Sequence, residues 1–124
     1  MRRGASSIAH DSHNLIVAGT NDADMVLAGN TVRKNKGGLA FALNGQVVGE
    51  LPLPVAGLMS TESAESVEEK LQALKAALKA HGISEDIDAF MTLAFVSLPV
   101  IPKLRLNTYG IVDVDAQRIV PAVF

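Results

Sequence analysis

Apolar positions between residues 60 and 82 follow the repeat of an α-helix. They recur at intervals of four, three and four residues, at Val67, Leu71, Leu74 and Leu78. Glutamates and lysines fill most of the other positions, which indicates one buried and one solvated helix face. Early acidic residues, late lysines and a stop at Gly82 agree with the helix dipole and with the usual helix terminator. We predict that Ser60 or Thr61 caps this helix.

Two further helices are predicted on either side of this one. The first spans residues 22–35, where Asn21 can cap the first amide groups and Gly37-Gly38 ends the helix. The second falls in the apolar segment 89–98, whose length suits either a short buried helix or a buried strand. We favour the helix because strands on both sides of the segment already supply a sheet.

The remaining apolar segments are predicted strands. The run 15–19 is apolar on both faces, which predicts a central, covered strand. Asn44-Gly45 is a strong hairpin signal, and Pro52 either ends the second strand of that hairpin or places it at a sheet edge. The predicted strands are residues 6–9, 15–19, 39–43, 46–51, 104–106, 111–114 and 119–120. These elements predict an α+β fold, with a mixed or antiparallel sheet on which two to three helices pack.

Composition narrows the classes of protein. The 124 residues, 13.0 kDa and 48% apolar content fit one folded domain spanning residues 1–124. A net charge of −2 excludes a broad electrostatic surface for nucleic acid. No segment approaches the ~18 consecutive apolar residues of a membrane span. The chain has no cysteine, hence no thiolate nucleophile and no Cys-ligated metal, and a cytoplasmic location is the expected default.

The densest group of candidate chemical residues is His10-Asp11-Ser12-His13-Asn14, between two apolar segments. We call these five residues the polar block. Histidine and aspartate are common acid–base and metal-binding groups, and such loops often carry function. No third metal ligand and no oxyanion hole is evident from the sequence, so a metal site and a serine triad are both disfavoured. Turn and cap hydrogen bonds within the block explain it about as well as a functional role.

A second candidate is the apolar loop, residues 52–60, which contains two prolines. An exposed apolar loop is unfavourable in water, so this segment is expected to pack against something. It either covers a sheet edge within the domain or docks onto a neighbouring domain or subunit. The sequence leaves both alternatives open.

Several segments together resemble the C-terminal domain of bacterial adenine deaminases. They are Ser6 to Asn14, Val17 to Asp22, Glu50 to Ser60, Phe90 to Leu93, Leu98 to Pro102 and Gly110 to Val114. The resemblance covers nearly the whole chain in one order, and it implies part of an amidohydrolase-superfamily enzyme of purine salvage. Such enzymes hydrolyse adenine to hypoxanthine and ammonia. Their barrel domain holds manganese or iron, and the water bound to that metal is the nucleophile.

The barrel and its metal ligands are absent from this chain, so the resemblance assigns no metal or cofactor site here. We expect a fragment or truncated product that does not turn over adenine alone, even with added manganese. The expected partners are the amidohydrolase barrel domain and, for the whole enzyme, adenine; nucleic acid and membrane are not expected. A homo-oligomer is also expected.

Three roles remain for the chain. In the first, His10, Asp11, His13 and Asn14 face the barrel mouth and help to shape the purine pocket or to hold a lid. In the second, slightly favoured, the domain serves packing and oligomerisation, and the polar block is a structural turn. In the third, the chain is a free-standing module that binds a small ligand or assists assembly without deaminase chemistry.

Overall fold

A four-stranded antiparallel sheet organises the chain in the computed structural model, which describes residues 4–9, 12–84 and 88–122. The strand order is β2-β1-β3-β4, with every neighbouring pair antiparallel. The strands are β1 (Gly4–Ser6), β2 (Ile16–Ala18), β3 (Gly38–Leu43) and β4 (Gln46–Pro52). The strands at β3 and β4, the hairpin between them and the end of β4 at Pro52 confirm the sequence predictions.

Three helices cover the two faces of this main sheet. They are α1 (Asp22–Lys34), α2 (Ala64–Ala80) and α3 (Ala89–Val96). Helix α1 packs on one face, whereas α2 and α3 contribute to the apolar cluster on the other. This arrangement confirms the α+β fold class, and α3 confirms that segment 89–98 is helical.

Strand β3 forms the middle of the core because its side chains alternate between the two helical layers. Leu39 and Phe41 join the cluster that includes Leu74 of α2, while Ala40 and Ala42 join the cluster under α1. Phe41 is fully buried and Leu74 is 1% exposed. The alternation of large and small residues follows the two-residue period of a strand. The apolar residues that repeat along α2 therefore form its face towards the core.

Three local predictions were wrong. Strand β2 lies at a sheet edge and is half-buried or exposed, rather than central. Its apolar character arises because α1 and α3 both contact it, one on each face of the edge. The predicted strand 6–9 lies instead at 4–6, since the Ser6 hydroxyl accepts the N–H of Ile8 at 3.0 Å and turns the chain.

The third correction concerns the start of α2. Ser63 is the N-cap, and its hydroxyl accepts the N–H of Ser66 at 3.3 Å. The expected cap, Ser60, instead accepts the N–H of Glu62 at 3.1 Å in the turn before the helix. Both serines satisfy backbone donors, but they do so one turn apart.

Strands β5 (Leu104–Asn107), β6 (Gly110–Asp113) and β7 (Arg118–Val120) form a separate antiparallel sheet in the order β5-β6-β7. The sequence predicted these strands, but not that they form a sheet of their own. From residue 99 to residue 122 every side chain is half-buried or exposed. Among the described residues, no helix is both long and apolar enough to cross a bilayer.

Candidate functional site

The polar block follows β1 in the chain, and its residues His10 and Asp11 lie outside the described residues. We call residues 12–14 the polar turn. The backbone N–H of His13 donates to the carbonyl oxygen of Ala9 at 2.9 Å, which closes the turn. His13 has a φ of +48°, and its side chain and that of Asn14 are exposed. A left-handed conformation at a non-glycine residue costs about 1–2 kcal/mol, so this exposed histidine is held against a local preference.

The polar turn is attached to the end of α3. The hydroxyl oxygens of Ser12 and Ser97 lie 3.3 Å apart, and Ser97 is the C-cap of α3. Ser97 is itself buried. This contact joins two segments that are 85 positions apart in the sequence.

Ser7 connects the base of the polar block to the apolar loop. Its hydroxyl accepts the backbone N–H of Gly38 at 2.7 Å and donates to the carbonyl oxygen of Gly57 at 2.6 Å. Its own N–H donates to the carbonyl oxygen of Gly38 at 3.0 Å. The half-buried hydroxyl of Ser7, three positions before the polar block, therefore contacts the apolar loop.

The apolar loop is closed on itself. Val55 and Met59 exchange two backbone hydrogen bonds, at 3.0 and 3.1 Å. Leu53 is 5% exposed and joins the core, whereas the side chains of Val55 and Met59 are 38% and 58% exposed. The base of the loop therefore packs on the domain's own core, whereas its tip stands in solvent. Docking of the tip onto a neighbouring domain or subunit stays a prediction.

Four strand ends of the main sheet, which belong to three connections, lie at the same end of the sheet. β1 ends there, β2 and β3 begin there, and β4 leaves there into the apolar loop. We call this region the connection end. It carries the polar turn together with half-exposed apolar side chains, namely Ile8, Leu15, Val55 and Met59. Exposed apolar residues bordered by polar ones are typical of a surface that another protein segment covers.

Acidic residues follow the apolar loop into α2. Hydrogen bonds from Lys70 and Ser66 hold the pKa of Glu62 below its ordinary value. The pKa of Glu65 is also lowered, mainly by a backbone hydrogen bond and then by the Ser63 hydroxyl. Both carboxylates are therefore stabilised in the charged form at the positive end of the helix.

The described residues contain no group of three or more His, Asp or Glu side chains placed to hold a metal ion. His81 is the C-cap of α2, and its ring centroid lies 5.9 Å from that of Phe41. Asp24 is engaged at the β3–β4 hairpin. The family resemblance places the metal in the barrel domain, and we derive no chemical step through a metal held by this chain.

Sequence reasoning missed the structural role of Asp24. Its position in the first turn of α1 suggests only a partner of the helix dipole, yet the side chain is 2% exposed. Its two carboxylate oxygens accept the backbone N–H groups of Asn44 and Gly45, at 2.9 and 2.7 Å. The Asn-Gly signal predicted the turn, but no spacing rule points from that turn to a residue twenty positions earlier.

A cleft of about 560 Å³ was also not anticipated. It opens between α2 and α3 over the main sheet, with Leu71 and Leu78 on one side and Phe90 and Met91 on the other. Leu39 of β3 lines it, and Lys75 and Asp88 also border it. The apolar residues of α2 predicted a face that is buried in the core. Part of that face is uncovered because α3 lies apart from α2, across the cleft.

Comparison with known proteins now places the chain. The family model described as adenine deaminase C-terminal domain matches residues 3–118. The chain belongs to this family. Adenine deaminase 2 of Carboxydothermus hydrogenoformans is 50% identical over 117 residues, which are 94% of this chain and 20% of that protein. Adenine deaminase of Kosmotoga olearia is 56% identical over 110 residues, 89% of this chain and 19% of that protein.

A third relative extends the same relationship. Adenine deaminase of Shigella sonnei is 49% identical over 111 residues, 90% of this chain and 19% of that protein. The chain thus spans about one fifth of the length of the curated relatives that it matches. This confirms the resemblance to the adenine deaminase C-terminal domain that the sequence segments carry.

Proposed function

We propose that the chain acts as the C-terminal domain of an adenine deaminase, a cytoplasmic hydrolase of purine salvage that converts adenine to hypoxanthine and ammonia. The observation that carries this proposal is the match of the adenine deaminase C-terminal domain model to residues 3–118. Relatives named adenine deaminase support it, because they align to about nine tenths or more of this chain.

The work of the enzyme is divided between two portions in this proposal. The remaining four fifths, which the resemblance identifies as an amidohydrolase barrel, would hold manganese or iron and bind the substrate. The present chain would supply surface and positioning groups. Its contribution is supported by the exposed polar and apolar side chains of the connection end.

Within this division, we assign the polar block to the side that faces the catalytic portion. The strained and exposed His13 supports this, since unfavourable backbone conformations concentrate at functional sites. Asn14 is exposed beside it, and His10 and Asp11 precede it in the chain. These four residues are proposed as positioning residues that shape or close the purine pocket.

A second candidate role is assembly of a homo-oligomer. It is favoured by the exposed tip of the apolar loop, where Met59 is 58% exposed although the base of the loop is buried. Burial of these side chains between copies would stabilise an oligomer through the hydrophobic effect. In this role the polar block is a structural turn.

One chimera separates these roles. It joins this chain to the upstream portion of the Carboxydothermus hydrogenoformans relative, in place of that protein's matching fifth. We expect His13→Ala and Asn14→Ala to lower kcat/KM for adenine by about tenfold to a hundredfold, as misplaced positioning groups do. His81→Ala is the matched control, an exposed histidine at the end of α2.

Oligomeric state is measured on the same variants by light scattering. Unchanged turnover per folded site in His13→Ala and Asn14→Ala would contradict the positioning role. Altered assembly with normal turnover would assign the polar block to oligomerisation instead. For the isolated chain, we expect no ammonia release from adenine with added manganese, and metal-dependent release from a clean sample would contradict the division of labour.

A further inference from the structure

The sheet β5–β7 has no core of its own. Every side chain from residue 99 to residue 122 is half-buried or exposed, and Leu104 and Leu106 are 47% and 50% exposed. Sheets of this size need an apolar face that packs on something to be stable. The three strands pack mainly on one another rather than on the main sheet or its helices.

The strand register defines one apolar face. Residues that pair directly across neighbouring strands point to the same side of a sheet. Leu106 pairs with Ile111, and Ile111 pairs with Val120. Leu104 lies on the same side, two positions before Leu106. We call these four residues the apolar face of the β5–β7 sheet.

Charge on this face is internally balanced. Asp113 pairs with Leu104 on one side and with Arg118 on the other, so one acidic and one basic residue lie next to each other on the same side of the sheet as the four apolar residues. Opposite charges in directly opposed positions are mutually favourable. The two charges cancel, so a surface that covers the four apolar residues is expected to be apolar and needs no net charge of its own.

The face is too small to hold a separate molecule. Three strands of about four residues measure about 14 Å in each direction, or about 200 Å². A stable interface between independent proteins buries about 800 Å² on each partner. A covalently connected surface does not need that area, because the tether raises its effective concentration to the millimolar range.

We propose that the apolar face of the β5–β7 sheet packs against an apolar, uncharged surface of the catalytic portion of the same polypeptide. This rests on the proposed function, in which the chain is the C-terminal domain of a longer enzyme. The length of chain outside this structure supports it, since the relatives are about five times as long as the segment that matches. The contact fixes the β5–β7 sheet relative to the main domain.

Hydrogen exchange tests the proposal in the isolated chain and in the chimera described above. We expect the backbone amides of β5–β7 to exchange at least about a hundredfold more slowly in the chimera, because docking adds stability to a weakly packed unit. The amides of β3, which are buried in the main domain, serve as the internal reference. Equal exchange of β5–β7 in both proteins would overturn the proposal.

A double variant, Leu104→Asp with Leu106→Asp, tests the face itself. In the chimera it is expected to abolish the added protection, while Val26→Asp, at a 60% exposed position of α1, leaves that protection intact. In the isolated chain the double variant is expected to shift Tm no more than Val26→Asp does. If instead it unfolds the isolated chain, the face packs on its own domain and the proposal fails.

Two further readings separate this proposal from other outcomes. If the chimera turns over adenine but β5–β7 gains no protection, the proposed function stands and the docking is overturned. If β5–β7 gains protection but the chimera does not turn over adenine, the docking is supported and the proposed function is not. Concentration-dependent dimerisation of the isolated chain that the double variant abolishes would show that a second copy covers the face, and would overturn the proposal.

Discussion

At the scale of single residues, Gly38 holds the start of β3 against β4. Its φ is +126°, and a Cβ atom would lie 2.0 Å from the carbonyl oxygen of Leu51. That oxygen belongs to a paired backbone, which cannot move without breaking the ladder. We expect Gly38→Ala to lower the free energy of unfolding by about 2–4 kcal/mol, measured by urea denaturation.

Gly45 provides the matched control for this substitution. It also has a positive φ, +78°, but a Cβ atom there would meet nothing within 4 Å. Gly45→Ala should therefore cost only the conformational penalty, about 1 kcal/mol. Equal losses in the two variants would show that the close approach at Gly38 does not matter.

Asp24 is expected to contribute more than its position at a helix N-terminus suggests. Asp24→Ala removes the acceptor of the Asn44 and Gly45 amides at 2.9 and 2.7 Å. Two backbone donors left without a partner should lower the free energy of unfolding by about 2–4 kcal/mol. Asp22→Ala, an exposed change in the same helical turn, should cost less than about 1 kcal/mol. A loss of similar size in both variants would contradict the role of the hairpin contact.

The residues that tie the molecule together were the hardest to predict. The contacts of Ser7 with Gly38 and Gly57 span 31 and 50 positions, and nothing in the local sequence marks that serine as different from Ser6. The sequence left open whether the polar block is a structural turn or a functional group of residues, and the contact of Ser12 with Ser97 at the end of α3 depends on the whole fold. Side-chain partners of this kind are set by tertiary structure, which a local pattern does not contain.

At the scale of elements, the first turn of α2 should depend on pH. The pKa values of Glu62 and Glu65 lie below the reference of 4.5, so their charged forms stabilise the folded helix above that pH. This contribution is lost as the pH falls below 4.5 through the lowered values. We expect the protection factors of the Ser66 and Val67 amides, which donate to Ser63, to fall over that range before those of the helix centre do.

A variant isolates the contribution of one carboxylate. Glu62→Gln removes the charge that pairs with Lys70, so the acid-induced loss of protection in the first turn should shrink. Glu69→Gln, an exposed change farther along α2, should leave it unchanged. High salt should weaken the effect of Glu62, because exposed ion pairs are screened. Identical profiles for both variants would exclude Glu62 as the source.

Elements were predicted best where periodicity spans several turns. The stripe of Leu71, Leu74 and Leu78 determined α2, whereas its cap was misplaced because Ser60, Thr61 and Ser63 all carry suitable hydroxyls. Strand β2 was misplaced within the sheet for a different reason. An apolar run of this length indicates that both faces of the strand are covered. It does not indicate whether the strand has a neighbour on each side or lies at the sheet edge.

At the scale of the whole molecule, the main domain is expected to fold without the β5–β7 sheet. A chain shortened to residues 1–102 should keep its Tm within about 4 °C of the full chain, because the removed strands add little buried surface. Leu74→Ala in the full chain should lower Tm by about 10–20 °C, since it empties a fully packed core position. Unfolding of the shortened chain would show that the two sheets are one cooperative unit.

The division into two sheets was beyond the reach of the sequence. Apolar and polar residues alternate in strands 104–106 and 111–114, as they would in strands of a single main sheet. This alternation predicts which face of a sheet each side chain is on, but not which strand lies beside it. Residues 104 and 106 are also as apolar as core positions. Their exposure becomes visible only when the three-dimensional arrangement shows that no helix covers them.

The hairpin at Asn44-Gly45 has a consequence for the chemical ageing of the chain. Asparagine followed by glycine is the sequence most prone to deamidation, which requires the glycine nitrogen to attack the asparagine side chain and close a ring. Here that nitrogen donates to Asp24 at 2.7 Å, and the turn fixes its direction. Spontaneous conversion to aspartate and isoaspartate should therefore be slow in the folded chain and faster in Asp24→Ala, as followed by peptide mass spectrometry during prolonged storage.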